Sequence, residues 1–393
     1  MVRRQASVAD TALIAAASER GAAPTATQLE RWRAAGLLPR NEQRGAGRGR
    51  GSVSTTPPES IDLVMWLSAH ARPGRRPGDL ALEAFGAGLP VPEPTVRRAF
   101  RAAATGSRLD ALLEPGDVTD RSEWIAGVAQ ELAAEHSGRS VLLPQRIRDI
   151  DARIAAAAIP FAMPEVAPFD KGTYDTEPYT SRNFLTTAVS AVLGGTSELS
   201  EGDLAAVARA MAPPGAAVPV ASMLEYPDDD PQLAHINDGH GLTLLPTGDA
   251  RVDLDRIVTE ASLTQLRAAW QAVDDMRRWA VSLCDTVEAE LDGLAAGKPL
   301  SECAALQQWF LGIILGLNRV LLRQALLEPA PPASARASTA VMLLSLATGI
   351  CRLRVMVPDG RFELLPVLLP PFLYELTELV AADLPASLRA NPA

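Results

Sequence analysis

Lysine is almost missing from this chain. Of 393 residues only Lys171 and Lys298 are lysines, and arginine supplies the rest of the basic charge, which reads as a coding bias rather than a mechanism. Aromatic residues make up only 5%, so the core of a chain that is 47% hydrophobic has to be built mostly from Ala, Leu and Val. Three cysteines, Cys284, Cys303 and Cys351, are too few and too widely spaced for a zinc pattern or a disulfide framework, and a reducing compartment is the simplest setting. The apolar runs Trp309–Asn318 and Ala337–Cys351 fall short of the roughly 20 residues that cross a bilayer, so they read as buried helices and no membrane association is expected. The Ala-rich N-terminus is interrupted by Asp10 and Glu19 and lacks the apolar centre of a signal peptide. There is no G-K-[ST], no G-x-S-x-G and no H-E-x-x-H, and the glycines of Gly45–Gly51 do not sit between a strand and a helix as a dinucleotide site requires. The reading is of a non-enzyme with no catalytic residue, no metal and no cofactor. His235 and His240, near Asp228–Asp230 and Asp238, read as a solvated acidic loop rather than a metal site.

What is abundant is arginine at one end. Residues 1–108 hold 16 arginines against nine Asp and Glu, a surplus of seven positive charges; the whole chain is at −10, so the remainder carries 17 net negative charges. A basic head on an acidic body points to a head that meets a polyanion. The 31 prolines exclude one continuous bundle, because an interior proline breaks a helix.

Periodicity places a helix over residues 8–20, closed by Arg20-Gly21. Thr25 is placed to cap a second helix running to about Ala35, with Gln28 three residues on as its capping-box partner. Residues 40–58 hold four arginines and four glycines without apolar periodicity; they form either a flexible linker or a β-hairpin with a glycine-rich tip, Val53 lying on the return strand. Pro57-Pro58 then opens a helix over 60–71. A second basic loop occupies 71–79, and further helices are predicted at about 79–87, 94–104, 119–137, 142–158, 182–193, 200–212, 253–296, 301–327, 334–356 and 363–382. No internal repeat and no alternation of strand with helix is present.

The second helix carries the information. On a helical wheel Ala26, Leu29, Trp32 and Gly36 share one apolar sector, whereas Thr27 and Arg31 point the other way, flanked by Gln28 and Glu30. Thr, Gln and Arg offer the donors and acceptors that base edges and phosphates require, and a preceding helix with a tight connection makes this a helix-turn-helix arrangement. The string Gln28-Leu29-Glu30-Arg31-Trp32-Arg33-Ala34-Ala35-Gly36-Leu37-Leu38-Pro39, followed by Gly47-Arg48-Gly49-Arg50-Gly51 and a helix from Glu59, resembles the winged helix-turn-helix head of the MerR family. The resemblance covers about the first 70 residues. Leu29, Trp32, Gly36, Leu37, Leu38 and Pro39 match position by position, while Glu30 and Arg31 stand where the family commonly has Arg and an aromatic residue, which implies a different target sequence. The family's long dimerisation helix is not evident after residue 71.

The expected architecture is mainly α: a winged helix-turn-helix over 8–70, a helical extension over 71–158, and an acidic all-α body over 180–393. The expected function is sequence-specific binding of double-stranded DNA by a cytoplasmic, bacterial transcription regulator. Its contact residues are Thr25, Thr27, Gln28, Arg31, Arg33, Arg40, Arg44, Arg48 and Arg50. Two heads of a homodimer would read two half-sites, and the body would hold a small-molecule or protein effector. The rival readings are a protein-interaction module whose head binds an acidic partner, and a helical enzyme with its site in the body.

Overall fold

The computed structural model describes residues 7–45, 52–105, 121–136, 141–159, 181–194, 201–213 and 250–383, except 328–329 and 357–361, together with 199, 216, 218 and 221. Among them the chain is mainly α. The helices are α1 (Val8–Glu19), α2 (Ala26–Ala34), α3 (Ser60–His70), α4 (Pro77–Gly86), α5 (Glu93–Thr105), α6 (Arg121–His136), α7 (Gln145–Ala156), α8 (Ser181–Gly194), α9 (Glu201–Ala210), α10 (Ala250–Glu260), α11 (Leu263–Ala295), α12 (Ala304–Leu315), α13 (Leu317–Leu327), α14 (Ala333–Met356), α15 (Leu365–Leu368) and α16 (Pro371–Asp383). The one sheet is an antiparallel hairpin of β1 (Glu42–Gly45) and β2 (Ser52–Thr55), in which Arg44 lies opposite Val53. Of the two forms expected for residues 40–58, the described strands Glu42–Gly45 and Ser52–Thr55 have the pairing of a hairpin.

Two long helical runs expected from periodicity are broken. The run 253–296 divides into α10 and α11 at Ser262, whose hydroxyl accepts from Gln265 N (3.2 Å) while Ser262 N donates to Gln265 Oε1 (2.9 Å). This is a second capping box, and it starts a new helix inside an unbroken apolar period. The run 301–327 breaks at Gly316, which has φ +71° and turns the axis by 104° between Ala304–Ile313 and Leu317–Leu327. Such a backbone suits glycine, the one residue without a Cβ to clash there.

The chain gathers into two compact units that do not follow chain order. The first comprises Met1–Ser107 with Val258–Gln271 and Pro331–Val341; the second comprises Arg108–Ile257, Ala272–Ala330 and Met342–Ala393. These divisions differ from the expected ones. The stretch 71–158 is cut at Ser107, and two pieces of the 180–393 body belong with the head.

In the first unit α1 packs on α2, α3 and β2, α3 on α4, and α4 on α5. Ala9, Leu13, Ala17, Leu29, Trp32, Leu63, Val64, Leu67, Leu82, Phe85, Val96 and Phe100 form its interior. Each buried Leu, Val or Phe there contributes about 1.5–3 kcal/mol.

In the second unit α6 lies against α8, with Ile125 buried beneath Trp124, Val128 and Val189. An ionic knot holds α7 to α13: Arg319, fully buried, donates to both oxygens of Asp151 (3.1 and 2.5 Å) and through Nε to the Met211 carbonyl (2.8 Å). Trp309 Nε1 donates to the same carboxylate at 3.0 Å. A charge so deep is tolerated because it is paired with a carboxylate and each of its three nitrogens donates a hydrogen bond.

Among the described residues one helical stretch, Ala333–Arg354, is long and apolar enough to cross a membrane, and half of its most apolar window is buried within the protein.

Candidate nucleic-acid interface

Both ends of α2 are pinned by local chemistry. At its start Thr25 Oγ1 accepts from Gln28 N (3.2 Å) and Thr25 N donates to Gln28 Oε1 (2.8 Å), so the predicted capping box is present. At its end Gly36 takes φ +76°, Gly36 N donates to the Arg33 carbonyl (2.9 Å) and Leu37 N to the Trp32 carbonyl (2.8 Å). This paired pattern is a Schellman stop, which needs a left-handed residue where only glycine is unstrained. Leu37 and Leu38, each 2% exposed, then anchor the exit beside buried Leu29 and Trp32.

The helix base is tied to the hairpin base by a polar knot. Arg33 Nη1 meets Asp10 Oδ1 at 2.6 Å and Arg33 Nη2 donates to Asn41 Oδ1 at 2.9 Å. Asn41 Nδ2 reaches back to Asp10 (3.4 Å), and the Thr56 hydroxyl lies 3.3 Å from the Ala9 carbonyl and 3.4 Å from Asn41 Oδ1. Asn41 precedes β1 and Thr56 follows β2, so the knot fixes both strand ends to α1 and α2. Burial works against ionisation of Asp10, but hydrogen bonding with Ser7 and with Arg33 outweighs it and holds the carboxyl below its usual range.

The expected contact residues therefore separate. Thr25, Thr27, Arg31 and Arg40 are exposed, and neither Arg31 nor Arg40 has an ion pair among the described residues. Arg33 is only 15% exposed and committed to Asp10 and Asn41, which makes it a structural brace and not a surface contact. Gln28 is half-buried and its amide oxygen is taken by the cap. Arg44 lies on β1; Arg48 and Arg50 fall outside the described residues.

Glu30, which flanks the outward face in the sequence, was not among the expected contacts. It is exposed, and with Thr27, Arg31 and Ala34 it occupies positions i, i+3, i+4 and i+7 of one helix face. That face offers a guanidinium fork suited to guanine O6 and N7, a carboxylate suited to the cytosine amino group, and a hydroxyl suited to either, beside an alanine small enough for close approach. Further exposed cations of the same unit are Arg72 and Arg76, in the loop before α4, and Arg98 on α5.

Other chemistry in the chain is quieter. Cys284, Cys303 and Cys351 are buried and free. Burial pushes the Cys284 and Cys351 thiols up to about 11, far from the thiolate range of a nucleophile. No group of three or more metal-ligating side chains gathers among the described residues, and His235 and His240 lie outside them. Compared with known proteins, the chain matches no family model, and no characterised protein or solved structure shows significant similarity to it.

Proposed function

We propose that this chain is a cytoplasmic, sequence-specific, double-stranded DNA-binding regulator whose head resembles that of the MerR family. The observation that carries the reading is the face of α2: Thr27, Glu30 and Arg31 are exposed on a helix clamped at both ends, and the base of an arginine-bearing hairpin is braced to that helix through Asp10, Arg33 and Asn41. A recognition element needs this rigidity, because base contacts discriminate only when side chains are held in register with the groove. In this reading α2 enters the major groove. Arg31 and Glu30 read base edges, while Arg40 and the hairpin arginines Arg44, Arg48 and Arg50 neutralise phosphates. Two copies bind half-sites about one helical turn apart, and the C-terminal body carries dimerisation or an effector site.

The test is selection of duplexes from a random library by the full-length chain, followed by affinity measurements across salt. A single enriched motif, bound with a steep salt dependence, is expected. Equal affinity for every duplex and for heparin would instead mark the head as a general polyanion or acidic-protein binder.

A further inference from the structure

Helix α5 holds two segments that lie far apart in the chain. Thr95, 7% exposed, donates its hydroxyl to the Gly36 carbonyl at 2.9 Å, at the C-terminal stop of α2. Two residues on, Arg97 Nη1 gathers three carbonyls, Val258 (2.5 Å), Thr259 (3.1 Å) and Ala261 (2.9 Å), at the junction of α10 and α11. Arg101 Nη2 donates to Thr259 Oγ1 at 2.6 Å. Between them Phe100 meets the ring of Trp270 edge-on at 6.2 Å.

Trp270 itself is seated in the first unit. It is 4% exposed and lies so close to Gly86 that a Cβ there would stand 2.6 Å from Trp270 Cε2 and 2.7 Å from Cδ1. Arg336, at the start of α14, stacks on its ring at 4.3 Å and donates to its backbone carbonyl at 3.0 Å. The seat thus consists of Gly86, Phe100 and Arg336 around one indole. Helices α11 and α14, which supply Trp270 and Arg336, continue to Ala295 and Met356 and contribute those later turns to the second unit.

We propose that the Trp270 seat regulates DNA binding by the head, with α5 as the connecting element between the seat and Gly36. The DNA part of this proposal rests on the reading of α2 given above. Whatever restrains or shifts α11 or α14 changes the free energy of seating Trp270, and Thr95 passes that change to the end of α2. By linkage the effect is reciprocal: a seat that raises duplex affinity is itself tightened by the duplex, by the same factor.

The test uses the full chain with Trp270→Ala, Trp270→Phe and Arg97→Gln. Amide exchange across residues 29–37, measured without DNA, should quicken about fivefold or more in Trp270→Ala and Arg97→Gln, stay near wild type in Trp270→Phe, and leave α16 unaffected. Affinity for the selected duplex should fall by a similar factor with an unchanged salt slope, because no phosphate contact is removed. Adding duplex to the wild type should slow exchange across 258–271. Should Trp270→Ala fail to fold, Arg97→Gln carries the same comparison. Unaltered exchange at 29–37 would overturn the connection through α5 whatever happens with DNA, and altered exchange with unaltered affinity would overturn the control of binding. Altered exchange in a protein that binds no duplex would leave the connection standing and refute the reading of α2 instead.

Discussion

Gly36 is required twice over, and the two requirements can be separated by measurement. An alanine at φ +76° pays the left-handed penalty of about 1–2 kcal/mol. Its methyl would also land well inside contact distance of Thr95 Oγ1, which now donates to the Gly36 carbonyl. Pushing the hydroxyl aside forfeits a hydrogen bond of about 0.5–1.5 kcal/mol and disturbs a side chain that is already buried. Gly36→Ala should therefore cost about 3 kcal/mol locally, and Thr95→Ala about 1.5 kcal/mol through the lost bond and methyl group. In the double variant the overlap no longer exists, and the lost bond is counted once. The pair should then cost about 3 kcal/mol in place of the additive 4.5, a coupling near 1.5 kcal/mol. Native-state amide exchange at Leu29–Leu37 in the full chain reads this directly, with exchange in α16 as the internal control. Additivity within about 0.5 kcal/mol would refute the close approach of Thr95. A cost below about 1 kcal/mol for Gly36→Ala would refute the left-handed stop as well.

The remaining expectations concern the same unit and the ionic knot of the other. Arg31→Ala should relax sequence preference at one base pair by about 1–3 kcal/mol while leaving non-specific binding nearly intact; a selection that returns the original motif at full strength would move base reading elsewhere. Replacing Arg44, Arg48 and Arg50 together with alanine should weaken all duplexes alike and reduce the log–log salt slope by about 0.9 per lost phosphate contact, and an unchanged slope would exclude the hairpin from the interface. Because the Asp10 carboxyl is held below its usual range, its contribution is complete above the unfolded value of about 3.9 and is lost as pH falls through the lower folded value. Asp10→Asn should accordingly flatten the acid side of the stability profile of α2, followed by amide exchange. Asp151→Asn should destabilise the second unit by about 3–5 kcal/mol in urea unfolding, since Arg319 keeps its charge with no carboxylate to receive it. Joining it with Arg319→Met should recover part of that loss, and a double variant worse than the single one would contradict the argument.

Much of the first unit was legible because its signals are local. The Thr25–Gln28 box, the glycine stop and Pro57-Pro58 before α3 each lie within a few residues of the structure they specify. The same kind of signal was present at Ser262-Leu263-Thr264-Gln265, yet the apolar period runs through it without a change of phase, so one helix was expected where there are two. At Gly316 the surrounding run is apolar all round, and a period that identifies no face cannot identify a bend. Arg33 failed for another reason. Its helix position is compatible with solvent, and only the approach of Asp10, 23 residues earlier, turns it inward.

The arginine skew has a structural meaning as well. A guanidinium has five donors in a rigid plane and stacks on aromatic rings, so one side chain can bind backbone carbonyls and lie over a ring at the same time. Arg97 serves three, Arg323 donates to the Leu142 and Val141 carbonyls (2.9 and 3.1 Å) while lying over Phe184, and Arg267 lies over Phe85 at 4.6 Å. In the head, Arg33 and Arg97 are internal braces, Arg20 pairs with Asp62 and Arg75 with Glu83. Net charge thus counts donors that already have partners together with those that do not. In the proposed reading, the attraction of the head for a polyanion rests on a smaller exposed set, Arg31, Arg40, Arg72, Arg76 and Arg98 among the described residues. Arginine here is as much the joinery of a core poor in aromatic residues as it is surface charge.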